Sequence, residues 1–191
     1  MRDTKKETCN RPEAGFSLVE MLIVIVLIGI VAAMAMYSIV GALPNIKVNN
    51  GLNTAMSVVK QGKYLATSQR RNYQLMFTAP TLIWLRRIEV PAGFTDQPVV
   101  ALPGEVQFLL FAGIPDTPDG YGNCGAICFP GTLTQTFLSN GEFVDSAGAP
   151  MNGTIYVGIP GNIATQRAIT ITGATGRIRS YRWTGGSWLE Y

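Results

Sequence analysis

The chain has 191 residues, a formal net charge of +3, 47% hydrophobic and 14% charged residues, and a mean hydropathy of +0.21. That length suits one domain with a modest core, and the composition excludes both low-complexity disorder and a polytopic membrane protein. Histidine is absent, which excludes Ser-His-Asp and Cys-His nucleophile systems, histidine-ligated zinc and ordinary haem ligation, and a charge of +3 does not by itself announce nucleic-acid binding.

The excess hydrophobicity is local. Residues 1–15 are polar and carry Arg2, Lys5, Lys6 and Arg11, whereas 23 of the 28 residues from Phe16 to Leu43 are hydrophobic and Glu20 is their sole charge. From Met21 to Leu43 no charge interrupts 23 residues, about 35 Å of helix and enough to cross a bilayer. The basic leader then stays cytoplasmic and everything after Leu43 lies outside, in a bacterium the periplasm or beyond. Three readings compete. A secretory signal peptide would use Ala33-Met34-Ala35 as its cleavage site, but the apolar run continues past it to Leu43. A plain signal anchor explains length and orientation but leaves the carboxylate of Glu20, costly at the lip of a membrane helix, without a task.

The third reading rests on Gly15-Phe16-Ser17-Leu18-Val19-Glu20-Met21-Leu22-Ile23-Val24-Ile25, which resembles the leader junction of type IV prepilins and type II secretion pseudopilins. The resemblance implies cleavage between Gly15 and Phe16 by a prepilin peptidase, N-methylation of Phe16, and a mature protein of 176 residues beginning at Phe16. It also implies storage in the inner membrane, with an inner-membrane assembly platform and other pilin or pseudopilin subunits as partners. Glu20, one turn from the freed α-amino group of Phe16, would pair with a neighbouring subunit's ammonium during assembly. Two departures stand out. Pro12-Glu13-Ala14 precedes the glycine where a basic residue is common, and no proline interrupts the apolar stretch near Tyr37, which argues against a major pilin.

Gly41-Ala42-Leu43-Pro44-Asn45 is a helix-weakening cluster at which the helix is expected to bend or restart. Beyond it Leu52, Ala55, Met56, Val59, Gly62 and Ala66 form an apolar stripe at spacings of three and four, with Asn53, Lys60, Gln61 and Lys63 off that face, and the helix should end near Arg70-Arg71-Asn72. The period then becomes that of strands. Tyr73–Thr78 and Leu82–Val90 form a hairpin around Ala79-Pro80-Thr81, followed by Val106–Phe111, Thr132–Phe137, Thr154–Ile159, Ala168–Thr172 and Arg177–Trp183. One long helix followed by antiparallel strands is an α+β order, and with the leader it resembles a pilin-like fold in which residues 44–191 form the periplasmic domain.

The carboxyl-terminal half, with Phe137-Leu-Ser-Asn-Gly141, Gly153-Thr-Ile-Tyr-Val-Gly158, Arg167-Ala-Ile-Thr-Ile-Thr172 and Gly176-Arg177-Ile178-Arg179, resembles GspH/FimT-like minor pseudopilins and pilins. A structural subunit, not an enzyme, is expected, with no cofactor. Cys9 lies in the leader, while Cys124 and Cys128 stay with the exported part, where an oxidising compartment makes a disulfide the default, contributing about 2 kcal/mol for so short a loop. Asp116, Asp119 and Asn123 crowd oxygen atoms into a loop; turn chemistry and calcium binding are both open there. Strand alternation puts Arg177, Arg179, Tyr181 and Trp183 on one face with Arg182 opposite. The likeness of Gly176-Arg177-Ile178-Arg179 to a FimT-like element implies an alternative role in DNA uptake, with Arg177, Arg179 and Arg182 contacting phosphates. A solvent-facing strand protected by long side chains is the other reading of the same residues.

Overall fold

A computed structural model describes residues 15–130 and 134–191; the leader up to residue 14 with Cys9, and the start of the strand expected from Thr132, lie outside the described residues. Helix α1 spans Leu18–Gln69, and the chain divides into a first unit ending at Ala42 and a second, Leu43–Tyr191. Ser17 precedes the helix and its carbonyl accepts the bond from Met21 N–H at 3.1 Å. Glu20 lies in the first turn, where the helix dipole favours a negative charge.

The expected restart near Pro44 does not occur: α1 runs through Pro44 without a break. A proline removes one backbone bond, but the face that follows is anchored within one turn by Val48, which is fully buried. From there Leu52, Ala55, Val58, Val59 and Ala66 are buried and Met56 is half-buried, the expected stripe with Val58 added. Gly62 lies in this stripe because a Cβ there would meet the side chains of Leu85 and Phe137. Lys63, expected off the face, sits at its edge, and its Nζ donates to the carbonyl of Thr175 at 2.9 Å.

The helix ends one residue before the expected arginines. Arg70 adopts φ 51° and Arg71 N–H donates back to the Ala66 carbonyl at 3.2 Å. This is a Schellman-type end with arginine in the left-handed position that glycine usually takes. Arg70→Gly is therefore expected to stabilise the domain by about 1 kcal/mol, raising the melting temperature by about 3 °C. Thermal unfolding followed by circular dichroism checks this, and an unchanged or lowered midpoint would contradict the assigned conformation.

The remaining chain forms β1 (Tyr73–Thr78), β2 (Leu82–Ile88), β3 (Phe94–Asp96), β4 (Val100–Ala101), β5 (Gln107–Phe108), β6 (Ile127–Cys128), β7 (Gln135–Phe137), β8 (Phe143–Val144), β9 (Gly153–Ile159), β10 (Asn162–Thr172), β11 (Arg177–Trp183) and β12 (Trp188–Glu190). The β1–β2 hairpin pairs Thr78 with Leu82, as the turn chemistry requires. The strand expected over Val106–Phe111 shrinks to β5. The strands form two six-stranded sheets: β3-β2-β1-β7-β8 with β4 on β2, and β12-β11-β10-β9-β5 with β6 on β9, every pairing antiparallel. The architecture is thus α+β. Residues of both sheets, among them Leu75, Ile83, Leu85, Phe137, Ile155, Val157, Ile169 and Ile171, share one core with the buried face of α1.

Strand β9 is buried along its whole length and β10 along most of it. One face meets the core under α1. The other carries Tyr156, Ala168 and Tyr181, a second apolar cluster onto which Leu110 and Trp188 pack. The second sheet is therefore covered on both sides, which explains its long apolar runs.

Candidate functional site

The first candidate is the amino-terminal segment. From Leu18 to Leu43 every large apolar residue whose side chain is described lies exposed, Leu18 at 81% and Val24 at 42% marking the range. The most apolar stretch has a mean hydropathy of 2.9 with none of it buried. A helix apolar on all sides is stable only in lipid or among other apolar helices. The described chain supplies no partner for it, and its length and composition suffice to cross a membrane. Gly15 and Phe16 precede this helix in non-helical backbone, and Glu20 is exposed at its start, accessible to a group on another molecule.

The second candidate is the segment between β5 and β6. It folds as a cover over the outer face of β9–β11, held by polar side chains at both ends. Gln166, fully buried, accepts from Phe111 N–H at 3.0 Å and donates to the Leu109 carbonyl at 2.9 Å. Asp116 accepts from the backbone N–H of Thr117 and Gly122, both at 2.7 Å, and from the Tyr156 hydroxyl at 3.4 Å. Burial first, then Asp116, hold the Tyr156 phenol well above its ordinary pKa. Trp188 Nε1 donates to the Pro115 carbonyl at 3.0 Å. Cys124 and Cys128 form a disulfide with Cα atoms 5.3 Å apart. Both aspartates of the loop thus serve protein donors, which favours the turn over the calcium reading. Among the described residues no group of three or more His, Cys, Asp or Glu is placed to hold a metal ion.

The third candidate, the arginine-aromatic face of β11, is turned inward. Tyr181 and Trp183 are buried, so they present no ring to a base. The Arg179 guanidinium meets Asp119 at 2.6 Å and Glu190 at 3.5 Å, and Asp119 also accepts from Thr170 and Tyr181 hydroxyls at 2.6 and 3.0 Å. The hydrogen bond with Tyr181, more than the charge of Asp119, raises the Arg179 pKa. Arg177 and Arg182 are exposed, on opposite faces of the strand. Gly176 has its own structural reason: φ is 57°, and a Cβ there would collide with the Gly141 carbonyl. The rings of Tyr181 and Trp183 are thus closed to stacking and Arg179 is engaged by carboxylates, while Arg177 and Arg182 remain exposed. Asp119, in the loop between β5 and β6, covers Arg179 and Tyr181 on the face that alternation gives them.

Sequence reading missed Arg167 altogether as more than a strand residue. Its side chain is fully buried beneath α1, where Nε and Nη2 donate to the side-chain carbonyls of Asn49 and Asn45, each at 3.1 Å, and Nη1 to the backbone carbonyls of Ala164 and Gln166. Burial chiefly, with Arg182 nearby as a smaller contribution, lowers the Arg167 pKa. The only signal in the sequence was the spacing of Asn45 and Asn49, one helical turn apart on an otherwise apolar stripe.

No curated protein matches the chain. Among solved structures, the minor pseudopilin EpsH from the Type 2 Secretion System of Vibrio cholerae is similar, with a TM-score of 0.47 and 13% identity over 74% of this chain and 99% of that one. Residues 10–36 match the family model of the prokaryotic N-terminal methylation motif, so Gly15, Phe16 and Glu20 all lie within such a motif.

Proposed function

We propose that the chain is a minor pseudopilin, a structural subunit of a type IV filament-like assembly and the GspH-like component of a type II secretion apparatus. The observation that carries this reading is the methylation motif at residues 10–36, continued by an apolar helical stretch none of which is buried among the described residues. Prepilin peptidase removes the leader after Gly15, and methylation caps Phe16. Before assembly the helix from Phe16 to Leu43 is held in the inner membrane with residues 44–191 in the periplasm. After assembly it packs among the equivalent helices of other subunits. In both settings its solvent is apolar, and Glu20 is the one charge that must find a partner. The α-amino group of a neighbouring subunit's first residue supplies it, so Glu20 orients each incoming subunit while apolar contact supplies most of the attraction. The DNA-uptake alternative keeps the exposed Arg177 and Arg182 but lacks the stacking surfaces of the buried Tyr181 and Trp183, so the secretion reading is preferred.

Processing is tested by mass spectrometry of the chain recovered from cells that contain a prepilin peptidase. The expected amino terminus is Phe16 carrying one added methyl group, and Gly15→Leu should leave the leader attached. A terminus near Met36, as a signal peptidase would leave, would overturn the proposal.

A further inference from the structure

Each of Arg86, Arg87 and Arg179 has a carboxylate within 4.0 Å. Arg167 and Arg182 have none among the described residues, although they face each other as cross-strand partners on β10 and β11. Like charges placed so are destabilising unless something neutralises them. Arg167 is fully buried and donates to the neutral carbonyl oxygens of Asn45, Asn49, Ala164 and Gln166, with Tyr191 as a further polar neighbour, and neutral acceptors do not cancel its charge. An open cleft of about 300 Å³ lies at this spot, lined by Asn45, Ile163, Ala164, Arg182, Trp183 and Thr184.

From this we infer that the cleft seats the phosphate of an anionic phospholipid headgroup, with Arg182 at its mouth and the Arg167 guanidinium behind it. The inference rests on the membrane-anchored reading proposed for the helix. Asn45 follows Leu43, the last residue of the apolar run, by two positions, about 3 Å of helical rise. Along the chain the cleft therefore begins two residues beyond the apolar run, where a headgroup layer would follow the acyl region. Its surroundings fit that layer. Ile163 is 50% exposed, and Leu189, the cross-strand partner of Arg182, is 55% exposed. Apolar side chains beside a cation match the boundary between acyl chains and headgroups. The seat would hold the domain down on the bilayer until the subunit is extracted into a filament.

The test uses the full chain reconstituted into vesicles of phosphatidylcholine alone or with phosphatidylglycerol. Flotation with both kinds is expected from the apolar helix. Phosphatidylglycerol should then slow amide hydrogen exchange in residues 161–165 and 182–186 by about fivefold, the equivalent of one arginine-headgroup contact. Arg182→Ala should abolish that slowing, and Lys60→Ala, which removes a charge from the exposed side of α1, should retain it. Flotation with both vesicle types but equal exchange would overturn the headgroup seat while leaving the anchored helix intact. Failure to float with phosphatidylcholine would overturn the anchored reading and the seat with it. Equal slowing by inorganic phosphate or by duplex DNA, added to phosphatidylcholine vesicles, would overturn the assignment to lipid.

Discussion

Arg167→Ala is expected to destabilise the domain by about 3–5 kcal/mol, lowering the melting temperature of the full chain in detergent by about 10 °C. Truncation removes most of a fully buried side chain and leaves a cavity under α1. It also withdraws the donors that Asn45 and Asn49 face, although Asn49 keeps a contact from the Tyr191 hydroxyl at 3.3 Å. Arg167→Met separates the two losses. It fills much of the volume and no longer buries a charge, so it should cost about 1–3 kcal/mol, clearly less than alanine. Thermal unfolding of the three proteins measures the order. A cost for alanine below about 1 kcal/mol would mean that the guanidinium does not tie α1 to β10.

Gly176→Ala is the second large effect, expected at about 3 kcal/mol or more, because the added Cβ meets the Gly141 carbonyl and the residue must keep a left-handed conformation. Gly104 provides the reference. It has a comparable φ of 62° with no atom within 4 Å of where a Cβ would stand, so Gly104→Ala should cost only the conformational strain, about 1 kcal/mol. The difference between the two measures the close approach of the β10–β11 turn to the Gly141 loop. Arg177→Ala, on an exposed side chain one residue on, should lie within about 0.5 kcal/mol of the parent. Equal denaturant midpoints for Gly176→Ala and Gly104→Ala would refute the contact. The comparison also bears on any test of DNA binding, since a Gly176 variant that loses binding has first lost its turn.

Much of this protein was legible from local pattern. The membrane-competent segment follows from 23 hydrophobic residues among 28, a signal that needs no folding partner. The buried stripe of α1 and the ranges of β1 and β11 follow from side-chain period, and Gly15, Phe16 and Glu20 lie in one contiguous motif over residues 10–36. Element boundaries were less legible where pairing decides them. Strand β10 begins at Asn162, not Ala168, because its first residues turn back on Ile159 through an irregular register. The covered outer face of β9–β11 was hinted at by the near-continuous apolar runs Ile155-Tyr156-Val157 and Ala168-Ile169, which an exposed sheet would not need.

What the sequence by itself determined is the membrane-competent apolar segment, its charged first turn and the order of helix then strands, because each depends on residues close together along the chain. What only the tertiary structure decided is the fate of the arginines. Alternation placed Arg179, Tyr181 and Trp183 on one face, but nothing within the strand says what covers that face. Asp119, 60 residues away from Arg179, does so, as Asn45 does for Arg167 at a separation of 122. A guanidinium on a strand is a phosphate ligand when water lies beyond it and a structural tie when a carboxylate or an amide does. That choice is made by long-range packing, in which charge burial is tolerated only where the fold brings acceptors to meet it.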